Sequence, residues 1–329
     1  MSSETESTQP QPLSSPIVPA RSGKDKLLIA GLRCGRMGNR LTLFANLVAY
    51  AAEHGHRLAN VTFHSYAHLF ETTRRDVYCR YPVPDRQSWL DRIPGVAGAI
   101  RKTRLFYHVI RYLSLLNEKW PLFGKRVVTL RERPGQLIIL LETPEVQAQI
   151  AEANVVFVYG WIFRAPGAMR RQAEKVRAYF RPIEAYERAS AQAVAPLRKD
   201  AEVVIGVHVR QEDYRRWRKG SCFFTMPQYA AWMSELAGQF PGQKVSFLVC
   251  SDELRRPEEF PGLTVGFGPG SAMGDLYALA KCDYILGPLS SYSQWASFYG
   301  NKPLYQLSDR KDRLELGKFR VSYLDEIPR

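Results

Sequence analysis

Cysteine is scarce. The chain has five, Cys34, Cys79, Cys222, Cys250 and Cys282; the number is odd, they are scattered, and no two form a CxxC pair. That pattern argues against a zinc ribbon or a disulfide framework and predicts a reducing compartment. Long apolar runs are also missing. No run reaches the ~18 residues that would mark a transmembrane helix. The first residues are polar and acidic with no apolar core, so a signal peptide is not expected. No lysine follows the glycine loop as in a phosphate-binding Walker motif. No DxD pair offers itself as a metal-diphosphate ligand, and no repeat of solenoid period occurs. The expectations are no metal, no cofactor and a cytoplasmic location.

Acidic residues are the minority. Against 46 Lys and Arg stand 32 Asp and Glu, a formal net charge of +14. A surplus of that size favours anionic partners such as nucleic acid, nucleotide phosphates or an acidic membrane surface. A basic nucleic-acid-binding protein would need a basic stripe carrying exposed aromatics. Here the basic residues gather instead in one amphipathic stretch, so no nucleic acid is expected. The stretch is 101–133, where Arg101, Lys102, Arg104, Arg111, Lys119, Lys125, Arg126, Arg131 and Arg133 interleave with Leu105, Phe106, Tyr107, Ile110, Leu113, Leu115, Leu116 and Trp120. Two readings stand for it. One is a helix packed on the core with a solvated charged face. The other is peripheral docking on an anionic membrane surface, the inner membrane for a cytoplasmic protein.

With 329 residues and 45% hydrophobic content the chain can bury the cores of two domains. Residues 1–24 are rich in Ser, Thr, Pro and Gln and are predicted disordered. The expected division is an N-terminal Rossmann-like domain over 25–195, with a basic insertion at 85–135, and a C-terminal Rossmann-like domain over 196–329. Lys26 to Ala30 reads as a buried strand running into a glycine-rich turn that includes Arg33, Cys34, Gly35, Gly38 and Asn39. Leu41, Phe44, Ala45, Val48, Ala49 and Ala52 then follow helical spacing, with Gly55 as the stop. Val155 to Gly160 is a further strand. A long polar helical stretch, 169–197, is broken near Pro182. Beyond it strands at 203–209, 245–250, 263–267, 284–287 and 304–307 alternate with helices near 227–238, 274–281 and from 292. Such alternation predicts parallel, doubly wound sheets.

Ligands of such sheets bind beyond the carboxyl ends of the strands. Four segments put polar residues there. In the first, Gly35 and Gly38 allow close backbone approach where a helix begins, or simply a tight turn. In the second, His208, Arg210, Asp213 and Tyr214 end an apolar run. Period-two alternation sets His208 and Arg210 on one side, and an arginine there can hold a diphosphate bidentately or serve a structural ion pair. In the third, Ser251, Asp252 and Glu253 end the next strand. The carboxylate could receive a base or ribose hydroxyl, or cap a helix. In the fourth, Ser290, Ser291 and Ser293 open a helix after Gly287 and Pro288, a phosphate cradle or ordinary caps.

Taken together, these segments resemble the fucosyltransferase superfamily, and within it the bacterial and animal α-1,2-fucosyltransferases. Gly35 to Arg40 is similar to the family's GGLGNQ-type loop. His208, Arg210, Asp213 and Tyr214 match HxRxxDY. Ser251, Asp252 and Glu253 resemble its SDD-like strand end, and Tyr159, Gly160 and Trp161 with Phe163 its GYWQ-type segment. Gly274 through Trp295 resembles DLxLMxxCDxxIxSNSSFSWW. The likeness runs from about Leu28 to Tyr305 and leaves the basic insertion unmatched. It implies an α/β GT-B fold, two Rossmann-like domains facing a cleft, with GDP-fucose as donor, a glycan hydroxyl as acceptor and inversion without a metal. By the same resemblance Arg210 would neutralise the leaving diphosphate, and Ser290 and Ser291 would donate to its phosphates. Asp252 would lie near the guanosine, and Asn39 and its loop would face the donor from the other domain. His208, Glu212 and Asp213 are the candidates for the base. The chain departs from the family at Arg40, at Gln211 and Glu212, and at Gly287 to Leu289. Those departures leave open another GDP-sugar as donor, or an inactive glycan-binding relative.

Overall fold

The computed structural model describes residues 25–32, 35–86, 92–93, 95, 105–120 and 127–324. The predicted disordered segment 1–24, Arg33 and Cys34 of the glycine loop, and Arg101, Lys102, Arg104, Lys125 and Arg126 of the basic stretch lie outside the described residues, as do the side chains of Leu105, Phe106, Tyr107 and Ile110.

The first half begins with β1 (Leu27–Ala30), α1 (Met37–His54), β2 (Arg57–Ala59) and β3 (Arg80–Tyr81). It continues with α2 (Leu105–Lys119), β4 (Val127–Arg131), β5 (Ile139–Leu140), α3 (Pro144–Glu152), β6 (Val155–Tyr159) and β7 (Phe163–Arg164). The helices α4 (Pro166–Arg171), α5 (Ala173–Tyr179) and α6 (Glu184–Asp200) follow. The polar helical stretch expected over 169–197 with a break near Pro182 does break there, and it has a second break at Gln172, so it makes three helices. The chain turns at 180–183, where Pro182 cannot supply the amide that would continue α5. The second half is β8 (Val203–Val209), α7 (Met226–Ala237), β9 (Val245–Ser251), β10 (Val265–Phe267), α8 (Ala272–Leu279), β11 (Tyr284–Pro288), α9 (Ser291–Gly300) and β12 (Leu304–Leu307).

Among the described residues the strands form two five-stranded sheets, ordered β3-β2-β1-β6-β4 and β10-β9-β8-β11-β12, and β5 pairs with β7 in a separate two-stranded one. Every pairing in the second is parallel, and in the first only β3 runs antiparallel. In each sheet the chain builds outward one way and then returns to build the other way. That reversal falls between β1 and β6 in one sheet and between β8 and β11 in the other. A crevice opens at such a switch point beyond the strands' carboxyl ends.

β8 is buried along its whole length because helices cover both faces of its sheet. Ile205, Val207 and Val209 pack with Tyr229, Trp232 and Leu236 of α7 in one apolar cluster. Val204 turns the other way and joins a larger cluster that also holds Leu28, Phe44 and Val48 from the first half. α1 is almost wholly buried because it lies between its own sheet and α9. It stops at Gly55, whose left-handed φ of 67° lets its amide close on the Ala51 carbonyl. At the base of the cleft Phe180 meets Trp295 edge-on, with ring centroids 5.1 Å apart. The expected boundary at 195/196 lies inside α6, which packs on the second sheet.

Candidate active site at the strand ends

Arg210 is the first residue beyond β8, at the switch point of the second sheet. Its side chain is 17% exposed, and its Nε donates to Asp213 Oδ1 at 2.8 Å. Asp252 Oδ2, beyond β9, lies 3.2 Å from the same Nε. The single Nε hydrogen is aimed at Asp213, so Asp252 Oδ2 holds the cation by charge alone. Among the described residues neither Nη of Arg210 has a protein acceptor. The guanidinium also lies over the Tyr214 ring, 5.7 Å from its centroid. Burial works to raise the Asp213 pKa, but the hydrogen bond and charge of Arg210, with Arg36 beyond, hold it below the ordinary carboxylate range. Asp252 goes the other way: burial lifts it, against the Gln211 amide and the Arg210 charge.

The loops around Arg210 are tied together. The Gln211 amide donates to Asp252 Oδ1 at 2.8 Å, joining the ends of β8 and β9. Its side-chain amide donates to the Phe224 carbonyl at 2.9 Å, so the glutamine that departs from the family pattern is a buried brace. The Tyr214 hydroxyl donates to the Leu289 carbonyl at 2.7 Å, joining the ends of β8 and β11. Ser251 accepts from the Glu253 amide at 3.1 Å, a local turn. No helix starts at Asp252, which removes the capping alternative there.

His208 lies on Arg210's side of β8, as alternation predicts, but one residue pair deeper. It is buried, and its ring lies against Tyr292 with centroids 4.9 Å apart. Burial, and after it the Arg210 charge, hold its pKa down at about 3. The expectation of a histidine facing a ligand thus meets a buried, neutral ring. Tyr292 in turn donates to the Ala272 carbonyl at 2.7 Å and pins α9 to the start of α8.

α9 opens directly above this cluster. Ser290 is its cap and accepts from the Tyr292 amide at 3.2 Å. The Ser291 hydroxyl donates to Asn39 Oδ1 at 2.6 Å, across to the first half. Ser293 does not join them. It is fully buried, and its hydroxyl bonds back to the Ser290 carbonyl at 3.1 Å, the usual outlet for a serine one turn into a helix.

The glycine loop supplies the opposing wall. Gly35 adopts a left-handed φ of 53°. A Cβ on Gly38 would lie 2.7 Å from Ser291 Oγ and 2.8 Å from the Tyr292 amide nitrogen, so only glycine lets the starts of α1 and α9 meet. Arg40 turns away from the cleft. It is buried and donates to the Gly35 carbonyl at 3.2 Å and to Ser65 Oγ at 2.8 Å, bracing the loop from behind. Arg36, just before α1, reaches over the cleft to Glu212 at 3.5 Å and Asp213 at 3.8 Å.

Sequence reasoning passed over Arg36 and Asp275. Arg36 finds its partners only through the fold. Asp275 lies in the first turn of α8 and accepts from the Gly270 amide at 2.9 Å. Burial, outweighing the Gly270 and Ser271 amides, pushes its carboxyl up to about 6. An acidic residue opening an apolar helix, Asp275-Leu276-Tyr277-Ala278-Leu279, was the available signal. Among the described residues no group of three or more His, Cys, Asp or Glu is placed to hold a metal ion.

No family model and no curated protein matches the sequence. Solved structures do. An Arabidopsis thaliana FUT1 mutant in complex with GDP aligns over 89% of this chain and 73% of its own at 14% identity, with a TM-score of 0.51. Fucosyltransferase NodZ from Bradyrhizobium aligns over 83% of this chain and 93% of its own at 16% identity and a TM-score of 0.48. POFUT1 in complex with GDP-fucose aligns over 84% and 95% at 13% identity and the same TM-score of 0.48. The fold is GT-B, two Rossmann-like domains about a cleft. Likeness at this identity speaks to the fold, and the chemistry rests on the site.

Proposed function

We propose that the chain is an inverting, metal-independent glycosyltransferase that moves fucose from GDP-fucose to a hydroxyl of a glycan, in the manner of an α-1,2-fucosyltransferase. The observation that carries this reading is Arg210, whose Nε is held by two carboxylates while, among the described residues, both Nη groups are left without a protein acceptor. It stands at a sheet switch point, where α/β folds bind ligands. The neighbour with the FUT1 name was solved with GDP, and its fold is shared over most of this chain.

In the reaction the acceptor oxygen attacks C1 of the fucose. The bond from C1 to the β-phosphate oxygen breaks, and GDP leaves with the electron pair. Arg210 meets the charge that grows on the diphosphate, with the Ser290 and Ser291 end of α9 behind it. The helix start favours an anion there through its backbone amides. Donors set in place beforehand are worth about 3 kcal/mol each in such a step. The acceptor's proton goes to a carboxylate at the cleft mouth, Glu212 or Asp213. His208 serves as packing under Tyr292, because its ring is buried against that side chain.

The test is turnover of a panel of GDP- and UDP-sugars with glycan acceptors. GDP-fucose is expected to react, and Arg210→Ala to lose roughly a hundredfold or more of kcat while remaining folded. GDP-mannose turnover without GDP-fucose turnover would move the donor. Binding of GDP without any turnover would leave a glycan-binding relative. No binding of any guanosine sugar would end the proposal.

A further inference from the structure

We infer that the outward face of α2 docks on an anionic lipid bilayer. Soluble helices turn apolar residues inward, yet among its described side chains α2 exposes a stripe of apolar ones. Ser114 and Asn117 are its buried residues. Their donors are used locally, Ser114 Oγ on the Arg111 carbonyl at 2.9 Å and Asn117 Nδ2 on the Val127 carbonyl of β4 at 3.2 Å. Val109, Tyr112, Leu113 and Leu116 stand at helical spacing on a different side. The first three are exposed and Leu116 is half-buried. Tyr112 is 63% exposed, and Trp120, just past the helix, is 53% exposed.

The charges around this face choose the occupant. His108, Arg111 and Lys119 are exposed beside the apolar stripe. The Lys119 ammonium lies 4.9 Å from the centroid of the Trp120 ring. The stretch 101–133 carries nine Lys and Arg against two acidic residues, a net +7 that is half of the chain's +14. An apolar stripe with amphipathic aromatics and flanking cations fits the boundary between acyl chains and anionic headgroups. No helix among the described residues is long and apolar enough to cross a membrane, so α2 would lie along the surface. A second copy of the chain would bring the same positive charge against itself, which is why a bilayer is preferred to a dimer.

The test mixes the full chain with large unilamellar vesicles of equimolar phosphatidylglycerol and phosphatidylcholine, or of phosphatidylcholine alone, and reads the bound fraction by sedimentation. Binding is expected on the anionic vesicles and roughly tenfold or more weaker on the neutral ones. Replacing Tyr112, Leu113 and Trp120 together by serine should weaken anionic binding by about tenfold or more, with an unchanged Tm because those side chains are exposed. A second variant, Arg111→Gln with Lys119→Gln, should lose roughly fivefold per charge. No binding to the anionic vesicles, equal binding to both kinds, or an unaltered partition in both variants overturns the assignment. So does a dimer in sedimentation velocity that the serine variant dissociates while the wild type ignores vesicles, since the face would then join two copies.

Discussion

The carboxyl ends of the two sheets each flank a switch point, and their chemistry is opposite. Beyond β8, β9 and β11 the second sheet gathers Arg210, Asp213, Asp252 and Ser290, and hydrogen bonds from Gln211 and Tyr214 lash the three loops together. Beyond β1 the described residues of the first sheet offer backbone, two glycines, one amide side chain and the exposed Arg36, and its buried cation, Arg40, points back into its own half. One half carries most of the electrostatics; the other carries mainly shape. A GT-B cleft therefore does not need two binding sites that mirror each other. It needs one wall with charge fixed in place and another that can come close.

That division can be broken from the shape side. Gly38→Val should have the largest effect. The new side chain meets Ser291 and the Tyr292 backbone, so α1 and α9 must separate. A loss of about 3 kcal/mol in thermal unfolding is expected. A shift of the wall by about 1 Å should cost ~10²-fold in turnover. Unchanged stability would mean that the two helix starts do not meet in solution.

The charged half can be sharpened through Asp275. Its carboxyl is raised to about 6 in the folded protein, above its ordinary unfolded value. The native state then holds the proton that the unfolded state has released, so stability falls as pH rises from about 4 to about 6. Asp275→Asn should flatten that fall, by on the order of 2 kcal/mol at neutral pH. Denaturant unfolding across that window checks the slope, and a slope equal in both proteins would contradict it. The smallest effect belongs to the contact across the mouth. Arg36→Ala removes an exposed ion pair with Glu212 and should change stability by about 0.2–1 kcal/mol. A larger change by the same measure would make Arg36 a structural strut.

The second half was legible almost residue for residue. Its strands are apolar runs of three to seven residues closed by turn signals, and β8 occupies Val203–Val209 where the sequence put it. Apart from β8 and β11 at the switch point, its neighbours in space are also neighbours in the chain's alternation of strand and helix. The glycine loop and α1 were equally plain. What escaped was whatever depended on a partner far along the chain. Period two gave His208 the correct face of β8 but not its depth, because depth is set by Tyr292 on a helix some eighty residues later. Arg40 looked like a change in the ligand-facing loop and became a brace, since only packing decides which way a long side chain turns. Ser293 looked like a member of a hydroxyl trio, yet one turn into a helix its hydroxyl satisfies a carbonyl. The outward apolar face of α2 was hidden by composition, which counts leucines without saying which way they point.

The edge-on contact of Phe180 with Trp295 has a consequence for how this protein can be cut or recombined. The two sheets are separate in topology, but the apolar cluster that contains this pair draws from both, with Phe44 and Val48 on one side and Ile285 and Phe298 on the other. The modular boundary drawn by strand order is therefore not a boundary for folding. A chimaera spliced at the link between the halves would inherit half of a shared interior, and an engineer wishing to exchange one lobe would have to carry α6, α9 and the Phe180 turn with it as a single cassette.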